Sequence, residues 1–267
     1  MLICCGGQPR PEGWGKIAGG GHDGCEGTDE MPKTEPAAAQ IALMLAPLVS
    51  ADPAKPFVVA QLGQSLDGRI ATPTGESRWI NKDAALDHVH RIRAHVDAVL
   101  VGVGTVVADD PILSVRRVAG RSPARVVIDP QGRIPPAARC LDGADRCRRI
   151  VIRAEGVSGP ALPDGVEVIS QAPDANGKLS PAATVAALFA RGFKKILVEG
   201  GAWTVSEFIN ARAVDHLHVL VAPVILGSGK PGLSLTPIDR LSQALRPQAR
   251  VFVLADGDVL FDCDLRA

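Results

Sequence analysis

The chain reads as an α/β protein, with a mostly parallel central sheet, helices on both faces and an antiparallel C-terminal hairpin. Three observations carry that expectation. Short apolar runs alternate with helical segments from residue 55 to the end, the pattern of a buried parallel sheet with crossover helices. The helical segments carry start and stop signals where such connections need them. The last two apolar runs are joined by Asp256-Gly257, a hairpin turn pair.

Taken in order, Phe57 to Leu62 opens the sheet as a strand. Lys82 to His95 has a helical period, with Ala85, Val89 and Ile92 on one face and Asn81 as its N-cap. Ala98 to Val101, Arg125 to Ile128 and Arg149 to Ile152 are short buried strands. Ser180-Pro181 starts a helix in the order cap, then proline, and Gly192 ends it. Lys195 to Val198 is the next strand and Trp203 to Ala211 the next helix. Leu217 to Ala222, Arg250 to Leu254 and Val259 to Leu265 complete the sheet. The reading is one domain over residues 55–267. Residues 1–54 are a disordered extension rich in glycine, proline and charge, with one short surface helix near its end.

Composition narrows the function. Lysines and arginines balance aspartates and glutamates at 29 each, so no overall positive field draws nucleic acid or an anionic membrane. An anion must then be held by local arginines or by backbone amides. Gln40 and Pro47 interrupt the longest apolar stretch, from Ala37 to Ser50, which falls short of the roughly 20 residues that span a bilayer. Val49-Ser50-Ala51 resembles a cleavage site, but a long polar stretch with several acids precedes it, unlike a basic leader. The six cysteines include no C-x-x-C pair. They read as reduced thiols of a cytoplasmic protein, and Cys4, Cys5, His22 and Cys25 as a poor metal set. No metal is expected.

Three segments at strand ends carry the chemistry, because ligands of an open α/β sheet gather at its carboxyl edge. Gly63 to Ala71 follows the first strand with Ser65, Asp67 and Gly68, and Gly75 to Ile80 lies just beyond. Gly102-Val103-Gly104-Thr105 follows another strand, with Asp109, Asp110, Leu113 and Arg116 after it. Glycines there admit a phosphate or ribose to the backbone amides. The third glycine of the dinucleotide fingerprint is missing, so a Rossmann domain is not supported. Glu199-Gly200-Gly201 then opens a helix whose free amides suit an anion. Singly, each segment is also an ordinary turn or loop.

Their combination is specific. Ser65-Leu66-Asp67-Gly68-Arg69-Ile70-Ala71, Gly75-Glu76-Ser77-x-Trp79-Ile80, Arg91-x-Arg93, Gly104-Thr105-Val106-x-x-Asp109-Asp110-Pro111-x-Leu113 and Glu199-Gly200-Gly201 occur in one order. Together they resemble the pyrimidine reductase of riboflavin biosynthesis, the reductase half of the bifunctional bacterial deaminase-reductase. The resemblance runs from Phe57 to the C-terminus and implies a dihydrofolate-reductase-like fold, NADPH as hydride donor and a homodimer. It implies substrate contacts at Ser77, Arg93, Leu113, Arg116 and Glu199, with the two arginines on the 5′-phosphate. The implied cofactor contacts are Gly63, Trp79, Thr105, Asp109, and Gly201, Ala202, Trp203 and Thr204 onward to Ser206. Glu199 and Asp67 are the candidate catalytic carboxylates, with Glu199 expected to orient the substrate.

Two departures stand out. The H-x-E and P-C-x-x-C motifs of the zinc deaminase are absent, so no deamination is expected. Asp129-Pro130 stands where relatives often carry a small hydroxyl residue near the adenosine, leaving Arg133 as the contact for the 2′-phosphate of NADPH. Two rivals differ in class. One is a reductase of another heterocycle, against which the paired arginines argue. The other is a non-catalytic nucleotide sensor, against which the retention of both sets of motifs argues.

Overall fold

A computed structural model describes residues 38–266; Cys4, Cys5, His22, Cys25 and most of the expected extension lie outside them. The chain begins with α1 (Ala38–Val49), β1 (Phe57–Ser65), β2 (Arg69–Ala71), α2 (Asp83–Ala94), β3 (Ala98–Gly102) and α3 (Val103–Asp109). It continues through β4 (Ala124–Ile128), β5 (Arg149–Ala154), β6 (Val166–Gln171), α4 (Pro181–Phe189), β7 (Lys195–Glu199) and α5 (Ala202–Asn210). The last elements are β8 (His216–Ala222), β9 (Lys230–Pro231), β10 (Gln248–Val253) and β11 (Val259–Asp264).

Nine strands form one sheet in the order β10-β11-β8-β1-β7-β3-β4-β5-β6. From β8 to β6 the neighbours are parallel, and β11 and β10 add antiparallel pairs at one end. The central strands read as continuous apolar runs because both faces are covered. Val58, Ala60, Leu100 and Val198 face α4 and α5, packing with Leu188, Val205 and Phe208. Phe57, Val59, Val99 and Val101 face the other way, onto Ile92 of α2 and Val103 and Val106 of α3. Phe208 is 1% exposed, and burying such a side chain contributes about 1.5–3 kcal/mol.

Helix ends follow the signals in one case and not in another. Ser180 caps α4, its hydroxyl accepting the Ala183 amide at 3.3 Å, with Pro181 next. Asn81 does not cap α2, because Lys82 holds the cap position. The Asn81 amide instead donates to the Leu220 carbonyl and the Asp258 carboxylate. The hairpin supplies the cap: Asp258 accepts the Lys82 amide at 2.9 Å and Asp256 the Ala84 amide at 2.7 Å. Carboxylates there satisfy unpaired donors and interact favourably with the positive end of the helix dipole.

The short helix expected on the surface is α1, and it belongs to the same compact unit as the sheet. Its Leu45 and Leu48 enter the core beside Phe57, and Met44 packs with Leu220 and Leu260. The apolar run Ile41–Leu48 therefore covers sheet that would otherwise face water.

Candidate active site

After β3 the chain moves outward to β4, and after β7 it moves the other way to β8. Adjacent strands whose continuations diverge leave a crevice at their carboxyl ends. There a cleft of about 820 Å³ opens, walled by Gly63, Gly102, Gly104, Thr105, Gly201 and Thr204 among others.

Its walls interlock through small residues. A Cβ on Gly102 would lie 2.5 Å from Thr204 Oγ1, and one on Gly200 would lie 3.0 Å from the Thr105 side chain. Gly200 also has φ +79°, a conformation glycine adopts without strain. The Gly201 amide donates to Thr105 Oγ1 at 3.1 Å. No side chain caps α5, so its first amides and the positive end of its dipole are open to a ligand.

A second cleft of about 550 Å³ adjoins the first, and Gly63, Ile70, Ser77 and Asp109 line both. Its character is cationic: Arg78, Arg93, Arg116 and Arg139 line it. Arg93 is buried against Glu199, donating from Nε and Nη2 to the two carboxylate oxygens at 2.6 Å each. Its Nη1 donates to the Ser114 carbonyl at 3.0 Å. Burial, then the charges of Arg93, Arg139 and Arg117, lowers the pKa of Arg116. An anion placed among these arginines would relieve that repulsion.

Most of the expected residues fall on these walls. Gly63, Thr105, Asp109, Gly201, Ala202, Trp203 and Thr204 line the glycine cleft, while Ser77, Arg93, Leu113 and Arg116 line the arginine cleft. Leu113 is buried with φ +61°, a conformation that leucine adopts only under constraint. Trp79, expected at the cofactor, lies instead on the arginine cleft, 82% exposed. Glu199 lines neither cleft; it sits behind Arg93 with both oxygens engaged.

Asp67 corrects its expected catalytic role. It is exposed and lines neither cleft. The Ser65 hydroxyl donates to it at 2.6 Å, and the Leu226 and Gly227 amides donate from the facing loop. Those bonds, Ser65 first, hold its carboxyl down to about 2, so it is an ionised turn anchor and not a proton donor.

Other wall residues were not anticipated. Arg78 and Arg139 join the cationic cleft, and Asn176-Gly177-Lys178 reaches the glycine cleft from the loop after β6. Asn-Gly marks a turn, but nothing local places that turn beside Trp203, whose ring lies 5.5 Å from Lys178 Nζ.

Among the described residues, His216, His218 and Asp262 bring possible metal-ligand atoms within 4.8 Å of one another. Their bonding is already complete. Asp262 accepts from His216 at 3.0 Å and from Arg250, His218 meets His88 at 3.0 Å, and Arg266 Nη2 lies 3.0 Å from His216 Nε2. Two guanidinium groups against the cluster oppose a cation.

The RibD C-terminal domain family matches residues 56–249. The 2,5-diamino-6-ribosylamino-4(3H)-pyrimidinone 5′-phosphate reductase of Methanothermobacter thermautotrophicus is 33% identical over 202 residues, covering 72% of this chain and 90% of that protein. The riboflavin biosynthesis protein RibD of Mycobacterium tuberculosis is 33% identical over 197 residues. This chain spans about half the length of that relative. The solved deaminase/5-amino-6-(5-phosphoribosylamino)uracil reductase of Thermotoga maritima superposes with a TM-score of 0.65 at 28% identity, covering 84% of this chain and 60% of that one. The riboflavin biosynthesis reductase Rib7 of Saccharomyces cerevisiae shares the fold, with a TM-score of 0.67 at 20% identity over 85% of this chain and 99% of that one. The expected architecture is thus the observed one, and on a match running from β1 to the start of β10 the chain belongs to the RibD C-terminal domain family.

Proposed function

We propose that the chain reduces the ribose of 2,5-diamino-6-ribosylamino-4(3H)-pyrimidinone 5′-phosphate to the ribityl form, with NADPH as donor. The observation that carries this reading is the shared wall of Gly63, Ile70, Ser77 and Asp109 between a glycine-lined and an arginine-lined cleft. A nucleotide in one and a phosphosugar in the other would meet along it. The choice of the undeaminated pyrimidine is supported by the archaeal relative of that name, whose length this chain nearly spans.

When bound, NADPH supplies the hydride that reduces C1 of the ribose. The residues of the glycine cleft fit such a nucleotide. The open space beside Gly104 admits it to the backbone, and the open end of α5 favours its phosphates. Arg133 lines the same cleft and is the proposed contact for the 2′-phosphate. Asp129 does not oppose it: it is fully buried, its two oxygens accepting the Arg133 and Ile134 amides at 2.8 and 2.9 Å.

In the arginine cleft, Arg93 and Arg116 are the proposed phosphate contacts, with Ser77 and Leu113 on the walls. Arg93 uses three of its five N–H groups on Glu199 and Ser114 and retains two for an oxyanion. Glu199 fixes the plane of that guanidinium. A homodimer is part of the reading, supported by exposed Val251 and Val253 on the edge strand β10, because an uncovered apolar edge is a pairing surface.

The test is NADPH oxidation by the purified protein, with the undeaminated and deaminated phosphates offered in parallel. Turnover of the undeaminated compound supports the assignment in full. Turnover of the deaminated one alone reverses the substrate order. Silence with both, despite NADPH binding, sinks the assignment.

A further inference from the structure

Residues 111–116 carry no regular secondary structure, yet side chains hold three successive residues of this segment by their backbone. Arg93 donates to the Ser114 carbonyl at 3.0 Å, Ser122 Oγ accepts the Val115 amide at 3.0 Å, and His90 Nδ1 accepts the Arg116 amide at 3.1 Å. Arg93 and His90 stand one turn apart on α2, so one helix face grips the segment at both ends. An amide can only donate. Nδ1 of His90 must therefore carry its lone pair, leaving the proton on Nε2.

We propose that His90 is a positioning residue for anion binding: by accepting the Arg116 amide, its neutral ring fixes the base from which the Arg116 guanidinium enters the arginine cleft. The inference rests on the proposed function to the extent that this cleft takes the substrate's phosphate. The surroundings suit the role. His90 is 4% exposed, so an amide that lost this acceptor would find little water to replace it. Burial, followed by the charges of Arg93, Arg116 and Arg117 and opposed by Asp87, holds the ring's pKa down to about 4. The acceptor thus survives throughout the neutral range. The neighbouring histidines serve elsewhere: His88 of α2 stacks on His218, and His95, just past the end of that helix, meets the Arg91 carbonyl. Without His90, Arg116 would have to be ordered by the ligand itself, and that ordering weakens binding.

The experiment compares wild type, His90→Leu and His90→Asn by calorimetry with ribose 5-phosphate and by steady-state kinetics. Leucine removes the acceptor at similar bulk, whereas asparagine places Oδ1 near the position of Nδ1. H90L should weaken ribose 5-phosphate binding and raise the KM of the phosphorylated pyrimidine by about tenfold, the scale of one buried hydrogen bond. Its kcat and its KM for NADPH should stay near wild type, and H90N should recover most of the loss. If H90L fails to fold, His90→Phe keeps a ring without the acceptor and takes its place. Unchanged ribose 5-phosphate affinity in H90L overturns the proposal. So does an equal loss for ribose 5-phosphate and NADPH that H90N leaves uncorrected, or a wild type that does not bind ribose 5-phosphate. A wild type that binds ribose 5-phosphate but turns over neither pyrimidine removes the function and leaves the His90 comparison standing.

Discussion

The two clefts share a wall and are built on opposite principles. The glycine cleft is shaped by what is missing: backbones of two strand–helix junctions approach until Thr204 and Thr105 fill the places of absent Cβ atoms. The arginine cleft is shaped by long side chains that burial and ion pairing hold still. The first should tolerate no added atom at Gly102 or Gly200, and the second no lost charge. That contrast can be broken by substitution, beginning with the largest effect.

Glu199→Ala leaves the Arg93 guanidinium buried without its carboxylate, which should cost about 3–5 kcal/mol of stability. Denaturant melts read it directly. A melt like that of wild type would mean that the pair does not hold the cleft together. Arg116→Ala should instead leave stability nearly intact and raise substrate KM by about tenfold or more, the scale of a charge-assisted hydrogen bond. An equal rise in the KM of NADPH would merge the two clefts into one functional unit and spoil the comparison.

On the other side, Gly102→Ala inserts a methyl 2.5 Å from Thr204 Oγ1 and should cost about 1–3 kcal/mol through overpacking. Nucleotide affinity should fall more than substrate affinity. Adding Thr204→Ala should restore part of it, and a double variant no better than the single one would deny that this contact shapes the cleft.

The smallest effect on turnover is expected at Asp67. Ser65, then the Leu226 and Gly227 amides, holds its carboxyl down from an ordinary 3.8 to about 2. The unfolded chain takes up that proton first as pH falls. Stability from this group is therefore present above pH 3.8 and lost as pH falls through about 2. Asp67→Asn should flatten that part of the acid melting curve and leave activity at neutral pH unchanged. A large loss of kcat would restore a catalytic role to Asp67.

The central strands were legible because Ala98–Gly102 and Lys195–Glu199 are buried on both faces and so appear as unbroken apolar runs. Strand β6, Val166–Gln171, was not, because an edge position leaves only Ile169 buried and the apolar signal thins out. Helix α3 is not legible in the sequence. Its Gly104, three valines and one threonine disfavour helix, and only the burial of Val103 and Val106 against the sheet makes it one. Of the site, the motif residues were readable and their partners were not. Arg93 and Glu199 lie 106 positions apart, and no local spacing announces such a pair. The grip of His90 on Arg116 is equally silent, since a histidine on a helix reads the same whichever backbone it meets.

The shared wall has a consequence for inhibition. Gly63, Ile70, Ser77 and Asp109 face both clefts, so the tail of one compound and the head of another can be joined with little or no linker. Such a bisubstrate molecule would make its second encounter intramolecular and gain from effective concentration what neither fragment has alone. On the proposed function, the anionic head would come from the arginine side and the nucleotide tail from the glycine side.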